Sequence, residues 1–161
     1  MAGRVAIVTG GTRGIGAAVS RMLKDKGYKV AATYAGNDDA AQKFKAETGI
    51  AVYKFDVSNY DAVQKGVAQI TKDLGPVDIL VNNAGITRDM TFKKMTKADW
   101  DAVMRTNLDA FYNVLQPLIS VEEWTLETLH SIGLGWGLAI VGLTLLVRAC
   151  TVPLVVRQFR A

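Results

Sequence analysis

The segment TGGTRGIG, residues 9–16, joins a short apolar run to a segment whose apolar residues have helical spacing. Gly10 permits a sharp exit from a strand, Gly14 lets the backbone approach a pyrophosphate, and Gly16 lets a helix pack closely on a sheet. The free N–H groups and the dipole of the following helix attract phosphate. The spacing is G-x-x-x-G-x-G and not the G-x-G-x-x-G of the common dinucleotide-binding fingerprint. The strand before the loop and the helix after it therefore distinguish a dinucleotide-binding turn from an ordinary tight turn.

Apolar runs of strand length alternate with segments of helical spacing along residues 1–113. The predicted strands span residues 4–9, 29–34, 51–55 and 77–82. The predicted helices span residues 14–26, 38–47 and 61–74, and a last one begins near Thr96 in a capping box with Asp99 and runs through Trp100, Val103, Met104 and Leu108. This alternation predicts an α/β fold, the first four strands of a doubly wound, Rossmann-type parallel sheet.

The second predicted strand ends without an acidic residue. A carboxylate there would hydrogen-bond a free ribose 2′-OH and repel a 2′-phosphate. Residues 31–34 are Ala-Ala-Thr-Tyr, and the first acid is Asp38. Arg13 stands in the glycine loop, where its guanidinium would meet a phosphate through charge-assisted hydrogen bonds. These residues favour NADP(H) as the cofactor; the alternative is that Arg13 is a solvated loop residue.

Charge divides the 161-residue chain near residue 113. Residues 1–113 hold 16 Lys/Arg and 12 Asp/Glu, whereas the last 48 residues hold three of each. The basic residues are interspersed with acids, so we expect a solvated surface and no nucleic-acid partner. Cys150 and His130 are the only residues of their types, so no metal site is expected. No signal-peptide core follows Met1, and residues 1–113 are expected to be cytoplasmic.

Four motifs together resemble the short-chain dehydrogenase/reductase family. They are TGGTRGIG at 9–16, Asp56-Val57 after the third strand, NNAG at 82–85, and Asn107 in TNL. The stretch NNAGITRDMTFKKMTKADWDAVMRTNL is similar to acetoacetyl-CoA reductases and 3-oxoacyl-[acyl-carrier-protein] reductases. The resemblance covers residues 1–113, and it implies NADPH-dependent reduction of a 3-oxoacyl thioester.

The resemblance also implies site residues. Arg13, Gly14 and Ile15 would line the cofactor phosphates, Asp56 and Val57 the adenine, and Asn83, Ala84 and Gly85 the ribose and nicotinamide. With the rest of the glycine loop, the expected cofactor-binding residues are Gly10, Thr12, Arg13, Gly14, Ile15, Gly16, Asp56, Val57, Asn83, Ala84 and Gly85. Asn107 corresponds to the asparagine of the family's catalytic tetrad, which holds a proton-relay water. The ordinary alternative for Asn107 is a polar residue on a half-buried helix face.

The serine, tyrosine and lysine of that tetrad have no counterpart in the chain. The family places the last two as Y-x-x-x-K, but the residues four positions after the five tyrosines are Ala32, Asp38, Val57, Gln64 and Gln116. Ser120 and Ser131 follow no strand-like run. Carbonyl reduction needs a positioned acid, so we expect a reductase by resemblance that is inactive in this form. The alternative is a non-catalytic NADP(H)-binding module.

The last part of the chain has a different character. Residues 131–147, SIGLGWGLAIVGLTLLV, carry no charge, and the uncharged run reaches spanning length when extended back to Thr128. Residues 118–129 mix apolar side chains with three glutamates, as an interfacial helix does. Residues 114–161 resemble the first core transmembrane helix of a YidC-type membrane protein insertase, with Arg148 at the position of the groove arginine.

The sequence therefore predicts two parts joined near residue 113. Residues 1–113 are expected to be a truncated NADP(H)-binding half, and residues 114–161 an amphipathic helix followed by a transmembrane helix. Residues 131–156 would associate with a membrane, so a third possible function is an insertase fragment or a membrane anchor. A buried helix of a soluble core is the alternative for the tail.

Overall fold

The structure, a computed structural model, describes residues 3–119. The amphipathic segment from residue 120 onward, the apolar segment 131–156 and most of the stretch with insertase resemblance lie outside the described residues. Within residues 3–119, no helix has the length and apolar character needed to cross a bilayer.

Four parallel strands form one sheet in the order β3-β2-β1-β4. They are β1 Val5–Val8, β2 Lys29–Tyr34, β3 Ala51–Lys54 and β4 Val77–Val81. Each bound lies within one residue of its prediction, and the Rossmann-like parallel sheet is confirmed. All four residues of β1 are buried, because β1 is paired on both edges and covered on both faces.

The helices are α1 Gly14–Asp25, α2 Asp38–Thr48, α3 Tyr60–Leu74 and α4 Lys97–Met104. The first three connect the strands, and α4 follows β4. Side chains cap the amino ends of α2, α3 and α4 but not that of α1. The Asn37 and Asn59 side chains accept hydrogen bonds from the first turns of α2 and α3, which satisfies backbone donors that have no partner within a helix. The predicted capping box of Thr96 and Asp99 is present at α4.

The chain beyond α4 departs from the predicted regular helix. A 3₁₀ turn, Phe92–Lys94, precedes α4, a π-helical turn spans Arg105–Asp109, and residues 110–119 are helical again. Trp100 and Leu108, both part of the predicted helix, are 45% and 58% exposed. Leu108 lies in the π turn, which is wider than an α-helical turn and shifts the register of the side chains that follow it.

Two hydrophobic clusters cover the two faces of the sheet, as a doubly wound fold requires. One includes Leu23 of α1 and Phe44 of α2 with alternate residues of β1 and β2. The other packs α3 and the helix at 110–119 against the opposite face. There Val114 is fully buried, and the Asn113 amide donates to the Val57 carbonyl oxygen at 3.0 Å. The division near residue 113 therefore falls inside a helix, and the domain boundary stays a prediction.

Candidate nucleotide-binding site

The glycine loop connects the carboxyl end of β1 to the first turn of α1. Gly10 and Gly14 have φ values of 63° and 52°, in the left-handed region that favours glycine. The Thr9 N–H donates to Val81 O and the Gly11 N–H donates to Thr33 O, both at 3.0 Å. These bonds fix the loop to β4 on one side and to β2 on the other.

Gly16 and Gly14 serve different purposes. A Cβ at Gly16 would lie 2.9 Å from the Gly10 carbonyl carbon, closer still to its oxygen, and 2.6 Å from Asn83 Nδ2. The close packing predicted for Gly16 is thus against the loop itself and the NNAG segment. A Cβ at Gly14 would meet nothing within 4 Å, so the backbone there faces open space.

Thr9 joins the glycine loop to the segment after β4. Its hydroxyl oxygen accepts from the Asn83 and Ala84 N–H groups at 2.9 and 3.0 Å, and the hydroxyl donates to Val81 O at 3.4 Å. The Asn83 side-chain amide donates to Thr9 O at 2.9 Å and to Gly10 O at 3.3 Å. Thr9 is 1% exposed, so these bonds set the relative position of the two loops.

A cleft of about 750 Å³ opens between these loops. This volume lies in the range of small-molecule and cofactor sites. All eleven predicted cofactor-binding residues line it: Gly10, Thr12, Arg13, Gly14, Ile15, Gly16, Asp56, Val57, Asn83, Ala84 and Gly85. The structure therefore brings together segments from the carboxyl ends of β1, β3 and β4.

Nine further lining residues were not predicted. They are Thr33, Tyr34, Ala35, Gly36, Asn37, Ala40, Phe55, Ile86 and Thr106. Most of them follow β2 directly or continue a predicted segment by one residue. The rule that ligands bind at the carboxyl ends of parallel strands could have indicated the segment after β2, whereas Thr106 could be placed only by the fold.

The amino end of α1 fits an anionic group. Arg13 is the N-cap residue of α1, and its side chain makes no capping hydrogen bond. The Arg13 side chain therefore leaves the N–H groups of the first turn open to a ligand. Arg13 and Ile15 are exposed on this end of the cleft. Free N–H groups, a positive helix end and an exposed guanidinium match a diphosphate.

The exit of β3 carries Asp56 and Val57. Asp56 Oδ1 accepts from the Ser58 N–H at 2.9 Å and from the Ser58 hydroxyl at 2.7 Å, which holds the carboxylate in a tight turn. Val57 is 5% exposed and belongs to the core. The pair thus combines a fixed hydrogen-bond acceptor with an apolar wall at the cleft.

Three polar side chains are linked by hydrogen bonds at the end of β2, the end of β3 and the first turn of α2. The Tyr34 hydroxyl donates to Asp38 Oδ1 at 3.0 Å, and Lys54 Nζ donates to Asp38 Oδ2 at 2.7 Å. The bonds from Lys54 and then Tyr34 lower the pKa of the Asp38 carboxyl, and the bond to Asp38 raises the pKa of Lys54. Partial burial, followed by the bond to Asp38, raises the pKa of Tyr34.

Asn107 lies in the π turn and binds the backbone after β4. The Ile86 N–H donates to Asn107 Oδ1 at 2.9 Å, and Asn107 Nδ2 donates to Ile86 O at 3.0 Å. A Cβ at Gly85 would lie 3.3 Å from Asn107 Oδ1. The two hydrogen bonds fix the backbone at Ile86, directly after the NNAG segment. The water-holding role implied by the resemblance stays a prediction.

Replacing Thr9 by valine is expected to lower the free energy of unfolding by about 2 to 4 kcal/mol, because two backbone N–H groups lose their acceptor. Thr33→Val is the matched control, since Thr33 is equally buried but its hydroxyl has no hydrogen-bond partner among the described residues. We expect Thr33→Val to be neutral or stabilising. Chemical denaturation of both variants tests this, and equal losses would contradict it.

Comparison with known proteins agrees with this geometry. The family model described as short chain dehydrogenase matches residues 4–121. An acetoacetyl-CoA reductase of Shinella zoogloeoides is 64% identical over 117 residues, which cover 73% of this chain and 48% of the relative. A 3-oxoacyl-[acyl-carrier-protein] reductase of Staphylococcus epidermidis is 38% identical over 117 residues, with 69% and 48% covered. The chain spans about half the length of these curated relatives.

Solved structures show the same likeness. The crystal structure of a blue fluorescent protein from a metagenomic library, in complex with NADPH, superposes with a TM-score of 0.69 at 35% identity. The superposition covers 74% of this chain and 51% of that one. A dehydrogenase/reductase of Sinorhizobium meliloti 1021 gives a TM-score of 0.70 at 34% identity, with 73% and 49% covered. The chain belongs to the short chain dehydrogenase family.

Proposed function

We propose that the described residues form the NADP(H)-binding half of a reductase that acts on 3-oxoacyl thioesters of the acetoacetyl-CoA type. The observation that carries the proposal is the cleft at the carboxyl ends of β1, β3 and β4, lined by all eleven expected residues. The identity with acetoacetyl-CoA reductases supports the substrate class.

In this proposal the cofactor is NADP(H), which supplies the hydride when it is bound. The amino end of α1 and the open backbone at Gly14 hold the pyrophosphate. Asp56 and Val57 border the adenine, and the segment from Asn83 to Gly85 borders the ribose and nicotinamide. The NADPH in the similar solved structure agrees with this choice of cofactor.

Asn107 is assigned a positioning role. Its two hydrogen bonds to Ile86 hold the strand-β4 exit in place, and that exit lines the part of the cleft assigned to the nicotinamide. The family resemblance implies a second role, in which this asparagine holds a water that relays a proton. That role needs the acid of the family's tetrad, so we propose it only for a chain that contains the tyrosine and lysine.

A non-catalytic NADP(H)-binding module is the second candidate function. It is favoured by one observation: none of the five tyrosines is followed by a lysine at the fourth position. Nucleotide binding is common to both candidates, and turnover separates them. The insertase or anchor alternative depends on residues 131–156 and stays a prediction.

Arg13→Ala tests the cofactor assignment. Loss of a charge-assisted contact with the 2′-phosphate should weaken NADPH binding by about ten-fold or more, and by more than it weakens NADH binding. The matched control is Arg4→Ala, which removes an exposed arginine at the amino end of β1, opposite the cleft. Fluorescence titration with both nucleotides is the measurement. Equal weakening of NADPH and NADH would show that Arg13 does not contact the 2′-phosphate.

A further inference from the structure

The segment after β2 raises a problem for NADP(H) binding. Tyr34, Ala35, Gly36, Asn37 and Ala40 all line the cleft. Asp38 lies between Asn37 and Ala40 in the first turn of α2. A free carboxylate here would repel a ribose 2′-phosphate and would attract the 2′-OH of NAD(H) instead.

Both oxygens of that carboxylate are engaged by neighbouring side chains. Oδ1 accepts from the Tyr34 hydroxyl at 3.0 Å, and Oδ2 accepts from Lys54 Nζ at 2.7 Å. Tyr34 and Lys54 are paired neighbours in the parallel register of β2 and β3. Their position is further fixed by the Phe55 N–H, which donates to Tyr34 O at 3.0 Å.

We infer that Lys54 is a specificity-determining positioning residue, which neutralises Asp38 and thereby lets the cleft accept the 2′-phosphate of NADP(H). The inference rests on the proposed function. The preference for NADP(H) then has two causes. The Arg13 guanidinium attracts the phosphate, and the ion pair with Lys54 offsets the negative charge of Asp38, the first acid after β2.

The exposure of the Lys54–Asp38 pair favours a role in cofactor specificity over a role in stabilising the fold. The ion pair is half exposed, with side-chain exposures of 52% and 56%, and exposed pairs contribute little to folding. If the pair is broken, the free Asp38 charge acts on groups within one Debye length, about 8 to 10 Å. Arg13 and Asp56 are the charged residues that line the cleft. Asp38 and Asp39 lie beside it, in the first turn of α2 between the lining residues Asn37 and Ala40.

Lys54→Met removes the cation that is paired with Asp38. The change should weaken NADPH binding by about three- to ten-fold and leave NADH binding unchanged or tighter. Adding Asp38→Asn to Lys54→Met should restore NADPH binding to near the wild-type value. Lys54→Arg should keep the NADPH preference. Lys97→Met is the matched control, because Lys97 is also exposed and paired with an aspartate, Asp101, in α4.

The experiment is a titration of the full-length chain and these variants with NADPH and NADH at low and high salt. The expected result is a fall in the NADPH-to-NADH affinity ratio in Lys54→Met alone, which shrinks at high salt. An unchanged ratio overturns the inference, and so does a double variant as weak as Lys54→Met, since that would mean direct contact of Lys54 with the phosphate. If Lys54→Met folds poorly, it binds both nucleotides more weakly, and the single variant Asp38→Asn then decides. A fall of the NADPH-to-NADH affinity ratio in Asp38→Asn overturns the inference. If the wild-type chain binds neither nucleotide, the proposed function fails as well.

Discussion

Replacing Gly16 by alanine is expected to reduce the affinity for NADPH by about 100-fold or more. The added Cβ would overlap the Gly10 carbonyl and approach Asn83 Nδ2 to 2.6 Å. Both neighbours belong to the rigid network around Thr9, so the loop must move. A shift of the α1 amino end removes the N–H groups from the position of the pyrophosphate.

The same change should destabilise the fold by about 1 to 3 kcal/mol, the usual cost of overpacking. Ala18→Ser is the matched control, because it adds one heavy atom to an exposed position of the same helix. Titration with NADPH and chemical denaturation are both needed, so that lost binding can be separated from lost folding. A Gly16→Ala chain that binds NADPH as tightly as the wild type would contradict the described packing of the loop.

The second large effect concerns turnover. The 161-residue chain is expected not to reduce acetoacetyl-CoA at an enzyme-like rate, because it contains Asn107 but no Tyr-x-x-x-Lys. General acid catalysis is worth about 10² to 10⁴ in rate, and typical enzymes turn over at about 1 to 10³ per second. Loss of NADPH absorbance in the presence of acetoacetyl-CoA is the measurement, with the protein-free mixture as control. Oxidation of NADPH at about 1 per second or faster would exclude the non-catalytic candidate.

The order of strands and helices could be predicted because its signals are local. The alternation of apolar runs, the glycine loop before α1, and the Thr96 to Asp99 capping box each depend on residues a few positions apart. The meeting of residues 10–16 with 56–57 and 83–85 was expected from the family resemblance, and it agrees with the rule that ligands bind at the carboxyl ends of parallel strands.

Other features depend on contacts between distant residues and could not be predicted. Thr9 and Asn83 are 74 positions apart, and Lys54 lies 16 positions after Asp38. Nothing local distinguishes these residues from ordinary polar ones. The π turn at Arg105–Asp109 has no helical-period signature, because an apolar stripe at a spacing of 3.6 continues through it in the sequence.

From the sequence, the assignment of NADP(H) rested on charge and on the family resemblance. Arg13 and the lack of an acid at the end of β2 were the signals, and one similar solved structure holds NADPH. The structure adds that Asp38, the first acid after β2, is bound by Lys54 and Tyr34. The preference is therefore expected to depend on both ends of the cleft.

Parallel titration of the wild-type full-length chain with NADPH and NADH measures whether the cleft is an NADP(H) site. We expect saturable binding of NADPH at one site, about ten-fold tighter than that of NADH, because the 2′-phosphate adds one charge-assisted contact. A chain that shows no saturable binding, or equal affinity for the two nucleotides, would contradict it.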